Sequence, residues 1–364
     1  MKLTFFLIAF CLVFLRIYFS LSGFDKKGKD DFTVTISNGD DYEQIKHGGN
    51  IVLTDDETGI KSMAPGAYVK YKKNDEKFTA ESNLAGEINY QINDGDKSLT
   101  VNGESKKIEA EAISEMIAYG FDANERAARV YKKGGYTALL QEADKMKSPG
   151  TAFIYLKPLL DDDSLSEDNM VAVIEKLGSL GSDNDKLSFL KKLKSSRLSS
   201  PRIRQAYFEI VGNLGSDMDK VSILRKYINE DTISTAGFDK VMDITTHLGS
   251  DMDKKYVLNL MVDKGWAVGE RFDNLLDAAS HFGSDMDKGN MYRKLIETSD
   301  IVEGQWVSAI NKAEQIGSEF DRGNLLLQIA AKMPKTENTK AAYLNAAKTI
   351  HADTEYAKVI KAME

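Results

Sequence analysis

A single cysteine, Cys11, occurs among 364 residues. A disulfide framework and a paired-cysteine metal site are therefore excluded, and because Cys11 sits in an apolar N-terminal segment, the chain beyond it has no thiol. Histidine is nearly as scarce, with His47, His247, His281 and His351 the four present. The patterns HExxH, GxSxG and GxxxxGK[ST] are all missing, so there is no zinc-peptidase helix, nucleophile elbow or phosphate loop to read. Clustered basic charge is missing too. The formal net charge is −8; residues 181–364 hold 26 Lys plus Arg against 27 Asp plus Glu, and residues 24–180 hold 20 against 29. A groove that tracks phosphates needs a positive stripe, and no nucleic-acid partner is expected. With 42% hydrophobic and 29% charged residues the composition is that of a folded chain, which excludes overall disorder.

A long unbroken hydrophobic run is also lacking. The largely apolar residues 3–15 are cut off by Arg16, short of the roughly 20 residues a spanning helix needs. With Lys2 before this run and Ser20, Ser22 and Gly23 after it, residues 1–23 read as a signal peptide or, if Arg16 snorkels, as a retained membrane anchor. Lys26, Lys27 and Lys29 leave the orientation of such an anchor open. The expected location is extracytoplasmic, periplasm or cell surface, with the membrane a partner only through an uncleaved segment.

What is present divides by texture. Residues 24–105 hold six short runs rich in Val, Ile, Tyr, Phe and Thr ("FTVTIS", "NIVL", "AYVKYKK", "KFTAES", "GEINYQIN", "SLTVN") between turn-forming clusters. Ile88, Tyr90 and Ile92 fall on one face, which predicts a small, half-buried antiparallel sheet domain. Residues 106–146 have helical spacing broken at Gly134 and Gly135, and read as a helical joint. From 147 to 364 the chain repeats with a period of 34, starting registers at Gly181, Gly215, Gly249, Gly283 and Gly317, with a degenerate unit at Lys147 and a truncated one at His351. Each unit carries two helical patterns, such as Ile223, Leu224, Tyr227 and Ile228 followed by Phe238, Val241, Met242, Thr245 and Leu248. One hairpin cannot bury such a face alone, so the units must stack. The expected fold is α+β: a small antiparallel β domain followed by an α-helical solenoid of helical hairpins of the HEAT or TPR kind.

The repeated stretch "GSDMDK" reads as a helix boundary. Gly215, Gly249 and Gly283 are expected in the left-handed conformation after a helix end, and Ser216, Ser250 and Ser284 as caps of the next helix, with Asp219, Asp253 and Asp287 at its third position. Acids in the first turn also suit the helix dipole. Lys186, Lys220, Lys254 and Lys288, with Arg322, close the motif and could pair with an acid of the neighbouring unit, an exposed pair worth only about 0 to 1 kcal/mol. The rival is a cation ladder of the recurring aspartates, but the alternating oxygens, central Gly and later Glu of a calcium loop do not follow here. His247 and His281 share one repeat column and read as helix C-terminal residues rather than metal ligands. No cofactor, metal or catalytic residue is assigned. Trp306 falls in a core column, whereas Trp266 lies in the loop "DKGWAVG" and is expected to be exposed.

The phrases "GGNIVLTDDETGIKSMAPGAYVKY" (residues 48–71), "FDANERAARVYKKGGYTALLQEADKMKS" (residues 121–148) and the repeated "SDMDK" resemble bacterial envelope proteins. They are similar in particular to the extracytoplasmic tails of integral-membrane zinc peptidases of the antirepressor, β-lactam-sensor type. The peptidase motif and its membrane helices are absent, so no catalytic residue carries over. The resemblance implies a sensing or scaffolding module of the envelope without the enzyme. The functional expectation is a non-enzymatic module that binds a protein or peptide at the interior loops, with Trp266 and Val268 as apolar contacts. The alternatives are an envelope hydrolase or lyase with facing carboxylates near His247 or His281, and an adhesin-like surface module.

Overall fold

A computed structural model describes residues 31–38, 41–94, 97–99, 103–230 and 235–363; the expected targeting segment, residues 1–23, lies outside them. No helix among the described residues is long and apolar enough to cross a membrane. The chain divides into two compact units, Met1–Pro158 and Leu159–Glu364.

The first unit holds a six-stranded antiparallel sheet of β1 (Phe32–Asn38), β2 (Asp41–Gly48), β5 (Tyr68–Lys73), β6 (Glu76–Ser82), β7 (Ile88–Asp94) and β8 (Lys97–Leu99), in that spatial order. A separate hairpin pairs β3 (Ile51–Leu53) with β4 (Ile60–Met63). Register explains the core. Val34, Ile45, Tyr71, Phe78 and Ile92 are successive cross-strand partners, forming one buried row through β1, β2, β5, β6 and β7. Because side chains alternate along a strand, aligning this row brings the other inward residues, such as Val69 and Ala80, to the same face. Helix α1 (Gly103–Ala118) covers it with Ala112, Ile113, Met116 and Ile117.

The segment expected to be a joint thus belongs to the sheet's own core. Helix α2 (Ala123–Lys145) is one element bent at Gly135, whose φ of 61° and ψ of −154° only glycine adopts readily. Helix α3 (Pro149–Leu156), capped by Ser148, packs on α2 within the same unit. The unit boundary accordingly falls at Pro158 rather than at Met146, because α3 is held by α2: the buried Arg126 donates to Tyr155 Oη at 2.8 Å and pairs with Glu142 and Glu57 at 2.7 Å each. Glu57 brings in the tip of the β3–β4 hairpin, and Glu109 of α1 fixes its base by accepting the Ile60 N–H at 3.0 Å.

The second unit is the solenoid. After α4 (Glu167–Gly178), first helices begin at Asp183, Asp217, Asp251, Asp285, Glu319 and Asp353: α5 (Asp183–Lys192), α7 (Asp217–Glu230), α9 (Asp251–Asp263), α11 (Asp285–Thr298), α13 (Glu319–Lys332) and α15 (Asp353–Lys361). Second helices alternate with them: α6 (Pro201–Gly212), α8 (Thr235–Thr246), α10 (Glu270–Ser280), α12 (Glu303–Ala313) and α14 (Glu337–Ala347). First helices pack on first helices, as α7 on α9 and α9 on α11, and second on second, as α10 on α12. The apolar columns read from the sequence are buried, including Ile223, Leu224, Val257, Leu258, Met291, Leu295, Leu325 and Ile329, except that Met242 is half-buried.

Candidate functional site

Each first helix opens with the same set of bonds. The hydroxyls of Ser182, Ser216, Ser250, Ser284 and Ser318 accept the N–H of the third helical residue, Asp185, Asp219, Asp253, Asp287 and Asp321, at 3.3 to 3.4 Å. The first aspartate turns to the next repeat. Asp183 Oδ2 accepts the Gly215 N–H at 2.9 Å, Asp217 that of Gly249 at 2.7 Å, Asp251 that of Gly283 at 2.7 Å, and Asp285 that of Ser318 at 2.9 Å. Glu319 continues the series with Ala352 at 2.8 Å. The Gly215 bond holds the Asp183 carboxyl below its ordinary range. Burial opposes the same shift at Asp285, yet the amides of Gly317 and Ser318 prevail.

Two expectations are corrected here. Gly215, Gly249 and Gly283 are not in the left-handed region. Their glycine identity comes from space, since a Cβ would stand 3.3 to 3.4 Å from the aspartate oxygen of the preceding repeat. The lysines pair within their own helix rather than with the neighbouring unit: Lys186, Lys220, Lys254 and Lys288 lie 3.4 to 3.9 Å from the aspartate three residues before. The N1 carboxylate is already engaged by an amide and an ammonium, so it is not an open cation ligand. Among the described residues no group of three His, Cys, Asp or Glu side chains is placed to hold a metal ion.

Trp266 is also corrected. It is 1% exposed, so it offers no contact surface. Its N–H bonds to Met261 O at 2.9 Å while Gly265 takes a φ of 74°, a Schellman turn that folds the residue after the glycine back onto the helix. There it meets Tyr227 edge-on at 6.5 Å and Phe238 at 6.3 Å, both from the preceding repeat. The Gly-Trp order after "DK" is the sequence signal for this return. Val268 stays at the surface.

The exposed apolar groups of the array lie elsewhere. Met218, Met252, Met286 and Phe320 are 59% to 78% exposed, and all four are the second residue of a first helix. They form a stripe across four consecutive repeats inside the stretch that reads as punctuation, bounded by Asn184 and Thr354 in the same column. Beside it runs the column of third-position acids, of which Asp287 pairs with Lys255 at 2.6 Å.

A second face is formed by the other helices. Glu175, Glu209, Asp243 and Asp277 occupy one column, and shallow clefts between successive helices bring Asp243 together with His247, and Asp277 with His281. Both histidines are exposed; His247, just past the end of α8, has Nδ1 2.7 Å from Asp243 O, and Lys312 Nζ holds Asp277 at 2.7 Å, which keeps that carboxyl below its ordinary range. His47, in the other unit, is packed between Phe32 and Phe121, 4.9 and 5.1 Å away.

No protein-family model and no curated protein matches this chain. Among solved structures it is similar to a chain described as "Computational Design of Self-Assembling Cyclic Protein Homooligomers", at 13% identity over 72% of this chain and 87% of the other. The TM-score is 0.12, and the likeness carries no argument.

Proposed function

We propose that the protein is a non-enzymatic scaffold of the bacterial envelope that binds a protein or peptide along the edge formed by the first-helix N-termini. The observation that carries this reading is the stripe of Met218, Met252, Met286 and Phe320. Single exposed apolar residues are ordinary, but four in one column of stacked helices form a regularly spaced row. Methionine adapts to varied partners, and solenoids bind along extended surfaces. The extracytoplasmic placement rests on the apolar residues 3–21 and on the resemblance to envelope tails.

The clefts with Asp243, Asp277 and the two histidines supply the second reading, a hydrolase. It is the weaker one: the clefts are shallow and open to water, and the carboxylate with a perturbed pKa is shifted down by a lysine rather than up, as a general acid requires. The test is a photo-crosslinking residue at position 252 in the native envelope. Crosslinks to a defined protein from position 252, and none from position 247, support the scaffold. Hydrolysis of envelope peptide or glycan that is lost in Asp243→Asn would replace it with the enzyme.

A further inference from the structure

Resting on the binding-edge reading, we propose that the partner segment recognised there is a polyproline-II stretch of roughly ten residues, apolar at each third position and Lys or Arg between. Three features of the edge specify it. The first is spacing. Consecutive first helices are packed neighbours, and packed helices stand about 8–10 Å apart, so the apolar groups recur at that interval. A polyproline-II helix returns the same face every three residues, about 9.3 Å. A strand returns it at about 6.6 Å and falls out of register by the second repeat. An α-helix returns it at about 10.5 Å over seven residues and drifts along the stripe.

The second feature is charge. The N1 acids are engaged by amides and lysines, but Asp219, Asp253 and Asp321 of the third-position column have no ion-pair partner among the described residues. An uncompensated acid therefore follows Met218, Met252 and Phe320, whereas Asp287 beside Met286 is paired with Lys255, and the three free acids call for basic side chains at the corresponding positions of the partner. The third feature is order. The bonds from Asp217 to Gly249, Asp251 to Gly283 and Asp285 to Ser318 tie each helix start to the next, so the stripe is held in place before anything binds. Asn184 and Thr354 end it after four apolar positions, which sets the length of the segment.

The test uses the full chain in mild detergent and a fluorescein-labelled peptide of four Leu-Pro-Lys units, with anisotropy as readout. The expected result is binding that weakens with added salt, and that falls about tenfold or more in Met218→Ser/Met252→Ser/Met286→Ser/Phe320→Ser and, separately, in Asp219→Asn/Asp253→Asn/Asp321→Asn. All seven sites are solvent-facing or half-exposed, and thermal melts verify that both variants fold. No binding, equal binding of a scrambled peptide of the same composition, unchanged binding to either variant, or tighter binding of an amphipathic peptide with one Leu per heptad overturns the proposal. A position-252 crosslink to a partner together with a failed peptide rejects the polyproline-II chemistry alone; failure of both rejects the edge.

Discussion

The carboxylate of Asp217 accepts the backbone N–H of Gly249, 32 residues further along the chain, at 2.7 Å. The same pair recurs as Asp183 with Gly215 and Asp251 with Gly283, so one side chain per repeat converts a local helix start into an inter-repeat joint.

Removing that joint has a cost near that of a hydrogen bond to a charged group. Asp217→Ala is expected to lower stability by about 1.5–3 kcal/mol, while Asp217→Asn, which keeps an oxygen acceptor, loses less. Urea denaturation of the three proteins measures it. Equal loss in both variants would mean that charge, not the acceptor, matters.

The cap is separable from the joint. Ser250→Ala removes the acceptor for the Asp253 N–H and is expected to cost about 1 kcal/mol. Gly249→Ala should also destabilise, because its Cβ would press on the Asp217 oxygen 3.3 Å away rather than because of its backbone angle. Pairing it with Asp217→Ala should then relieve part of the loss in a double-mutant cycle.

Trp266 is a stability residue. Trp266→Ala is expected to cost about 3–5 kcal/mol by leaving a cavity beside Tyr227 and Phe238. Val268→Ser, at the surface two residues on, should change the melting temperature little. Comparable losses at the two positions would contradict the packing described.

His47 makes the sheet unit acid-sensitive. Burial lowers its pKa from 6.5 to about 4, while the nearby Asp31 carboxylate works in the opposite direction. Between those values the unfolded chain binds the proton and the fold does not, so stability is greatest above pH 6.5 and declines as pH falls toward 4. His47→Phe, which suits the site between Phe32 and Phe121, should flatten the melting temperature across that window. An unchanged slope would assign the acid sensitivity to other groups.

Added calcium is expected to leave the melting temperature unchanged, since the N1 carboxylates are already engaged by amides. A rise of several degrees would show a cation site that the packing of these side chains does not suggest.

The repeat length, the helix starts and the buried columns were all legible in the sequence, because hydrophobic period and capping residues are local properties of the chain. The α+β division was legible for the same reason. Two strands were missed. In β2 the run "DYEQIKHG" is polar apart from Tyr42 and Ile45, and its place in the sheet depends on Ile45 standing between Val34 and Tyr71. In β4 the four residues "IKSM" are too short to declare themselves and pair with a three-residue neighbour.

The candidate edge was concealed differently. The sequence by itself determined that "SDMDK" starts a helix, and nothing in one unit shows which of its side chains face water once units stack. Tertiary structure decided that the first Asp turns to the next repeat, that Lys turns back to that Asp, and that Met remains outside. Trp266 went the other way, from a loop in the sequence to the core between two repeats. The physical reason is common to both. Capping and periodicity act within a few residues along the chain, whereas exposure and inter-repeat bonds depend on neighbours about 30 residues away, which exist only after the hairpins have packed.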